Sequence, residues 1–247
     1  MEVILKKVDL LKTALDQHRP LKGLILKQLR DYYRIGLTFS SNAIEGNTLT
    51  ESETKVVIEE GLTVGGKSVK EHLEAIGHAQ AYDHIYSLLN KKISAEDILL
   101  LHKLFFFTID PETAGQYRKA NVIITGTDFI PPDYQKVPDL MKKHIAKFNQ
   151  NSKKQHPLIR AADLHAEFES IHPFVDGNGR IGRLLHSLMT IKYGYCPVVI
   201  PPIRRAEYIQ AMKRANKKDF EPLRKFIGSV VYEELKSLKR IVSKLGS

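Results

Sequence analysis

His172-Pro173-Phe174-Val175-Asp176-Gly177-Asn178-Gly179-Arg180-Ile181-Gly182-Arg183 places three glycines among a histidine, a carboxylate, an amide and two arginines. Gly177 and Gly179 permit φ > 0 and let backbone N–H groups approach a ligand with no Cβ in the way. Behind them Arg180, Arg183, Leu184, Leu185 and Leu188 have helical spacing, which predicts a helix opening near Asn178 or Gly179. A glycine turn feeding a helix N-terminus is an anion site, because unpaired N–H groups and the positive end of the helix dipole converge there. Arg180 and Arg183 would add forked donors suited to phosphate oxygens. Asp176 is a hard oxygen ligand for Mg²⁺, which takes one or two carboxylates together with substrate phosphates. His172 is a candidate general base near neutral pH. A Ca²⁺ loop is excluded: Arg180 would fall at its fifth position and Ser187 at its twelfth, where a bidentate Glu is required. The P-loop pattern is also absent.

The stretch from His172 to Arg180, completed by Arg183, resembles the signature of the Fic family. A wider region, from about residue 36 to 228, also looks like a Fic core, including Ile44-Glu45-Gly46-Asn47, Glu71-His72-Leu73 and Ala215-Asn216. The resemblance implies an all-α helical bundle and transfer of AMP from ATP to a Ser, Thr or Tyr hydroxyl of a target protein. His172 would then be the catalytic base, and Mg²⁺ or Mn²⁺ would sit on Asp176. Gly177, Asn178, Gly179 and Arg180 would stabilise the phosphates, with Arg183 on the terminal one. Asn216 matches a position that contacts adenine, and Tyr208 is a candidate ring neighbour for the base. Ser41 to Gly46 matches the inhibitory Ser-x-x-x-Glu-Gly motif, so Glu45 is expected to pair with Arg183, and removal of AMP stands as a second direction. The domain plan that follows is an N-terminal helical arm (1–35), a Fic core (36–228) with its inhibitory helix at 38–46, and a C-terminal helical extension (229–247).

Of the 247 residues, 43% are hydrophobic, ordinary for a globular chain long enough to bury a core. The net charge of +10 is spread over the two ends, which reads as solvated basic faces rather than a nucleic-acid surface. The single Cys196 excludes an internal disulfide and a cysteine-rich zinc site. Lys6, Lys7 and Asp9 break any signal peptide, and no apolar run reaches spanning length, so a cytoplasmic location and no membrane partner are expected.

Apolar spacing predicts helices over 3–15, 20–37, 68–89, 94–108, 137–149, 157–170, 179–193, 206–216 and 221–245, with Pro20 at a helix start. Thr38 to Gly46 reads as a separate short helix, and Thr50 with Glu53 as a capping box opening a helix to about Gly61. In the 68–89 helix, Leu73, Ile76, Ala79, Tyr82 and Ile85 are expected inward; His72, His78 and His102 read as hydrogen-bonded helix residues. Gln150 to His156 reads as a polar loop. Asn121 to Ile130 reads as a small β-hairpin turning at Gly126-Thr127. Under the resemblance it is a flap whose Ile123, Ile124 and Thr125 hold a target segment by strand pairing. Arg118 suits either a phosphate contact or a structural ion pair. The last helix is open to packing on the N-terminal helix or on a second copy of the chain.

Two other classes compete. His165, Glu169 and His172 fall at i, i+4 and i+7, as in a zinc hydrolase, although the pattern is not His-Glu-x-x-His. The basic charge suggests a nucleic-acid-binding module, but no helix-turn-helix or aromatic–basic stacking pattern appears.

Overall fold

The structure, a computed structural model, describes residues 1–150 and 154–245. In chain order its helices are α1 (Glu2–Asp16), α2 (Gly23–Ile44), α3 (Glu51–Lys55), α4 (Val69–Ile85), α5 (Ala95–Phe106), α6 (Val137–Asn149), α7 (Pro157–Ile171), α8 (Asn178–Lys192), α9 (Arg205–Asn216) and α10 (Glu221–Leu245). No strand occurs among the described residues. Helix α8 is the axis of the bundle. Asn178 and every residue from Arg180 to Thr190 are buried, the mark of a helix covered all round. Helices α7, α4, α2 and α5 cover it, α6 and α9 pack on α7, and α10 packs on α9, α7 and α1.

Local chemistry fixes several starts. Thr50 with Glu53, Ser68 with Glu71, and Ser94 with Asp97 form reciprocal capping boxes that satisfy first-turn amides of α3, α4 and α5. Helix α3 continues through a π-helical turn, Val56–Glu60, to a left-handed Gly61. Gly77 lets α4 cross α5 closely, since a Cβ there would overlap the Phe105 carbonyl. This crossing turns α4 away from its expected register: Ile76 is exposed and Leu73 half-buried, while Ala75, His78, Ala79, Tyr82 and Ile85 face inward. His72, His78 and His102 are hydrogen-bonded helix residues, as their positions suggest.

Pro20 does not open α2. It follows a cis Arg19–Pro20 bond, and the helix starts at Gly23. Residues 38–44 are not a separate helix but the end of the same 22-residue α2. Their polar side chains are buried contacts rather than a break. Thr38 bonds His78 at 3.0 Å, Ser40 donates to the Ile200 carbonyl, and Asn42 donates to the Glu74 carbonyl at 3.2 Å. Residues 121–130 do not form a hairpin. Burial alternates along them as in a strand, and Gly126 turns at φ 80°, but no ladder joins the two arms. Two short arms gain too little from pairing to force a ladder alone. Of the polar loop at 150–156, residues 151–153 lie outside the described residues.

Helix α2 passes through residues 35–36, and α10 through 228–229, without a break. Of the two packings open to α10, the one on α1 is present within the chain. Gly228 seats Ile4, and Val8 and Leu15 join the same buried core as Leu235 and Val242. No helix among the described residues is long and apolar enough to cross a membrane.

Candidate active site

Helix α7 stops at His172, whose φ of 51° and ψ of 61° are left-handed. A non-glycine residue there carries backbone strain, so its surroundings must impose it. Pro173 bars further helix, the His172 N–H donates to the Phe168 carbonyl at 3.0 Å, and Arg118 Nε donates to the His172 carbonyl at 2.8 Å. Among the described residues Arg118 forms no ion pair; its guanidinium is committed to backbone carbonyls. Its guanidinium also caps the carbonyls of Ala120 (3.0 Å) and Pro132, and its N–H donates to Pro173 (2.9 Å).

The loop to α8 is pinned from inside. Asn178 Nδ2 donates to the Phe174 carbonyl at 2.9 Å, and Asn178 Oδ1 accepts from the Phe174 N–H at 2.8 Å. Phe174 stacks on His102 with centroids 3.8 Å apart. The Gly115 N–H donates to His102 Nδ1 (2.9 Å), which leaves Nε2–H for the Asp176 carbonyl (3.1 Å). Burial pushes the His102 pKa down to about 4, so the ring stays neutral in this role. Gly177 caps α8 at φ 80°, and a Cβ there would press on Phe105 and His102. The amides of Asn178, Gly179 and Arg180 therefore open α8 without intrahelical acceptors. The Asn178 amide group serves the loop; what it offers a ligand is its backbone N–H.

The two arginines diverge. Arg180 Nη1 donates to Glu74 on α4 at 2.8 Å, and Nη2 to Asp176 at 3.2 Å, with the guanidinium 4.6 Å from the Phe105 ring centroid. Arg183 turns to the end of α2: Nε donates to Ser41 Oγ (2.9 Å), and Nη2 to the Ser41 carbonyl (2.9 Å) and Glu45 Oε1 (2.7 Å). The expected Glu45–Arg183 pair is thus in place. Its side chains are 37% and 3% exposed respectively, so a buried cation meets a half-wet anion. Burial works to raise the Glu45 pKa, but the charge and hydrogen bond of Arg183, with Arg180, hold it below its ordinary value. Removing Glu45 would strand a buried guanidinium unless another anion replaced it.

Of these groups, Glu45, His172, Gly179 and Arg183 line a cleft of about 410 Å³, the size of a small-ligand site, whereas Asp176, Asn178 and Arg180 are not among its walls. Its walls are Glu45, Glu169, His172, Gly179 and Arg183 on one side, residues 124–127 on another, and Arg205, Ile209, Met212, Lys213 and Asn216 of α9 on a third. The His172 ring lines the cleft; burial chiefly lowers its pKa, opposed by a hydrogen bond to the Glu169 backbone, with Arg118 lowering it further and the charges of Asp176 and Glu45 working against that. At neutral pH it is an unprotonated base. Ile124 and Thr125 reach the cleft, but Ile123 is 94% exposed and does not line it. Tyr208 is a buried floor residue, its hydroxyl 2.8 Å from His165 Nε2 and its ring beneath Arg183. That bond and the burial of His165 remove it from zinc ligation. No group of three or more His, Cys, Asp or Glu able to hold a metal occurs among the described residues, which overturns the zinc-hydrolase reading. A larger groove of about 890 Å³ lies beyond Ser170 and Asn216.

Glu74, His102, Glu169, Arg205 and Lys213 belong to this site, and the sequence reading gives them no part in it. Only Glu169 carried a local signal, its spacing from His172, which the zinc pattern absorbed.

Unpaired amides, a buried guanidinium and a neutral histidine around one cleft are groups whose chemistry suits a phosphorylated ligand. The sequence profile of the Fic/DOC family matches residues 92–190, from just before α5 to near the end of α8. The chain is 34% identical over 234 residues, 94% of its length, to protein adenylyltransferase Fic of Drosophila melanogaster. It is 38% identical over 200 residues, 80% of its length, to that of Drosophila mojavensis. It spans 47% and 39% of these two relatives, less than half of each. A Glu-to-Gly variant of a Fic-1 fragment from C. elegans superposes with a TM-score of 0.89 at 30% identity, covering 100% of this chain and 73% of that one. The chain belongs to the Fic/DOC family.

Proposed function

We propose that this protein transfers AMP from ATP to a hydroxyl of a target protein, itself included. The observation that carries the proposal is the convergence, in one cleft, of the open α8 N-terminus, Arg183 and a neutral His172. The naming of its curated relatives as protein adenylyltransferases supports the same reading. The incoming hydroxyl gives its proton to His172. Its oxygen attacks the α-phosphorus of ATP, the bond from that phosphorus to the β-phosphate bridge breaks, and pyrophosphate leaves. The α8 amides face the charge that grows on the phosphoryl oxygens, where most stabilisation in such transfers arises. Ile209, Met212 and Asn216 offer an apolar wall and an amide for the base.

Asp176 suits a Mg²⁺ or Mn²⁺ ion. Oδ1 accepts from Gly177 N–H (2.5 Å) and Arg180, while Oδ2 has no protein partner among the described residues and the side chain is half exposed. A single free carboxylate oxygen matches an ion held jointly with substrate phosphates. Such an ion supplies charge neutralisation at the phosphates.

The cleft as it stands is closed to this chemistry. Glu45 occupies Arg183 and lies so near Gly179 that a Cβ there would overlap its carboxylate. A triphosphate needs both, so Glu45 acts as an internal inhibitor, with Ser41 holding Arg183 beside it. The half-wet Glu45 carboxylate also favours a second reading, in which it orients a water that removes AMP from a modified target. The test is labelled ATP with Mg²⁺, given to the parent and to Glu45→Gly, and intact-mass measurement of added AMP. No AMP on any protein with either form would refute the proposal; loss of AMP removal in Glu45→Gly would support the second reading.

A further inference from the structure

Beside the Glu45–Arg183 pair lies a carboxyl group that the transfer chemistry above does not use. Glu169 sits on the last turn of α7 and lines the cleft. Its Oε1 is buried with no hydrogen-bond partner among the described residues, and it rests against the bare Cα of Gly182, where a Cβ would overlap it. An ionised carboxylate left that way bears the full cost of desolvation. The groups acting on its carboxyl are Arg183 from α8, Glu45 from the end of α2 and Tyr208 from α9, while His172, at the end of its own helix, bonds to the Glu169 backbone. One guanidinium thus stands between two acids, and Glu45 already holds it at 2.7 Å. Neutrality of this cluster requires one proton, and Glu169, the acid without hydrogen bonds, is where it rests.

Resting on the nucleotide-binding reading above, we propose that Glu169 is a positioning residue for Arg183. By keeping its proton it leaves the guanidinium to one anion at a time, Glu45 in the closed cleft or the terminal phosphates of ATP in the open one. Deprotonated, it becomes an internal rival for Arg183. Burial pushes its pKa up to about 8, with Glu45 adding to the rise and Arg183 opposing it. The neutral acid therefore predominates at pH 7 and is lost as pH rises through about 8. A bound triphosphate acts on Glu169 in the same sense as Glu45, so it holds the proton in place. Above that pH, ATP binding must take a proton up, and affinity falls by up to about tenfold per pH unit.

The test has two arms. Infrared spectra of the full chain without nucleotide should show a protonated-carboxyl band that titrates near pH 8 and is missing from the isosteric Glu169→Gln. Titrations of Mg·ATP from about pH 7 to about pH 9.5 should show the falling affinity in Glu45→Gly and a flat profile in Glu45→Gly with Glu169→Gln. A missing band with ATP binding intact, or the same slope in both variants, overturns this inference alone. The band present with no ATP binding at any pH overturns the nucleotide reading, and this inference with it.

Discussion

Two stretches line the same cleft and are held in opposite ways. Residues 172–178 are pinned from inside by Asn178, His102, Arg118 and the stacked Phe174. Residues 121–130 are extended, turn at Gly126, and leave the amides and carbonyls of residues 122–125 without a backbone partner among the described residues. The contrast separates two tasks. Transfer needs atoms held to fractions of an ångström, and a loop supplies that when buried groups over-determine it. Engagement of a protein segment needs free backbone groups, and an unpaired extended stretch supplies those.

The rigid side should give the largest effects. His172→Ala is expected to lower AMP transfer by about 10²–10⁴ while leaving nucleotide affinity near that of the parent, read by single-turnover kinetics beside a binding titration. Because its pKa is lowered, parent activity should hold on the acid side of neutrality down past pH 6.5 before the base is protonated. Unchanged transfer in the alanine variant would remove the histidine from the chemistry. Glu45→Gly should raise self-modification about a hundredfold, the effect of a few kcal/mol of regained productive binding. Adding Arg183→Ala should erase most of that gain, and an equal gain in both would show that the pair is only structural. Asp176→Ala should raise the Mg²⁺ concentration needed for half-maximal transfer by about 10–100-fold; ordinary metal dependence would contradict its role.

Arg118 ties the two stretches together, so it sharpens the contrast. Arg118→Ala leaves the carbonyls of His172, Ala120 and Pro132 without this donor and should cost about 2–4 kcal/mol in urea unfolding, with transfer falling as His172 loosens. The smallest change is expected at the exposed Ile123. Ile123→Pro removes one N–H and should alter stability by under about 0.5 kcal/mol, yet lower transfer to a protein target severalfold. Normal target modification by that variant would mean the stretch does not pair with its substrate.

The pinned loop was also the more legible one. Its glycines, its histidine and the helix opening at Asn178 are local signals, and α6 and α10 begin and end where apolar spacing puts them. The extended stretch misled because alternation describes one arm, whereas a ladder requires two arms to meet. Thr38, Ser40, Ser41 and Asn42 misled in another way. A polar run reads as a break in a helix, but here each side chain faces a buried polar partner that only the tertiary fold brings near. Ile76 turned outward for a similar reason, since the close approach at Gly77 decides the face of α4. Glu74, Arg118 and Glu169 gain their meaning from residues far along the chain, which spacing cannot reveal.

At about 1.5 Å per residue, α2 is a rod some 33 Å long whose tip carries Glu45. Its last turns are clamped to α4, to α8 and to the Ile200 carbonyl before the chain turns at Gly46. A stiff rod fixed so near its tip transmits little of a push or pull applied at Gly23. Letting go of Arg183 is therefore a swing of one carboxylate arm about its own torsions, a motion of nanoseconds rather than milliseconds. A catch of that kind has no slow gate. It behaves as a rapid equilibrium, so the unmodified chain should show a low, steady leak of activity with no lag, and what tunes the leak is whatever competes for the guanidinium.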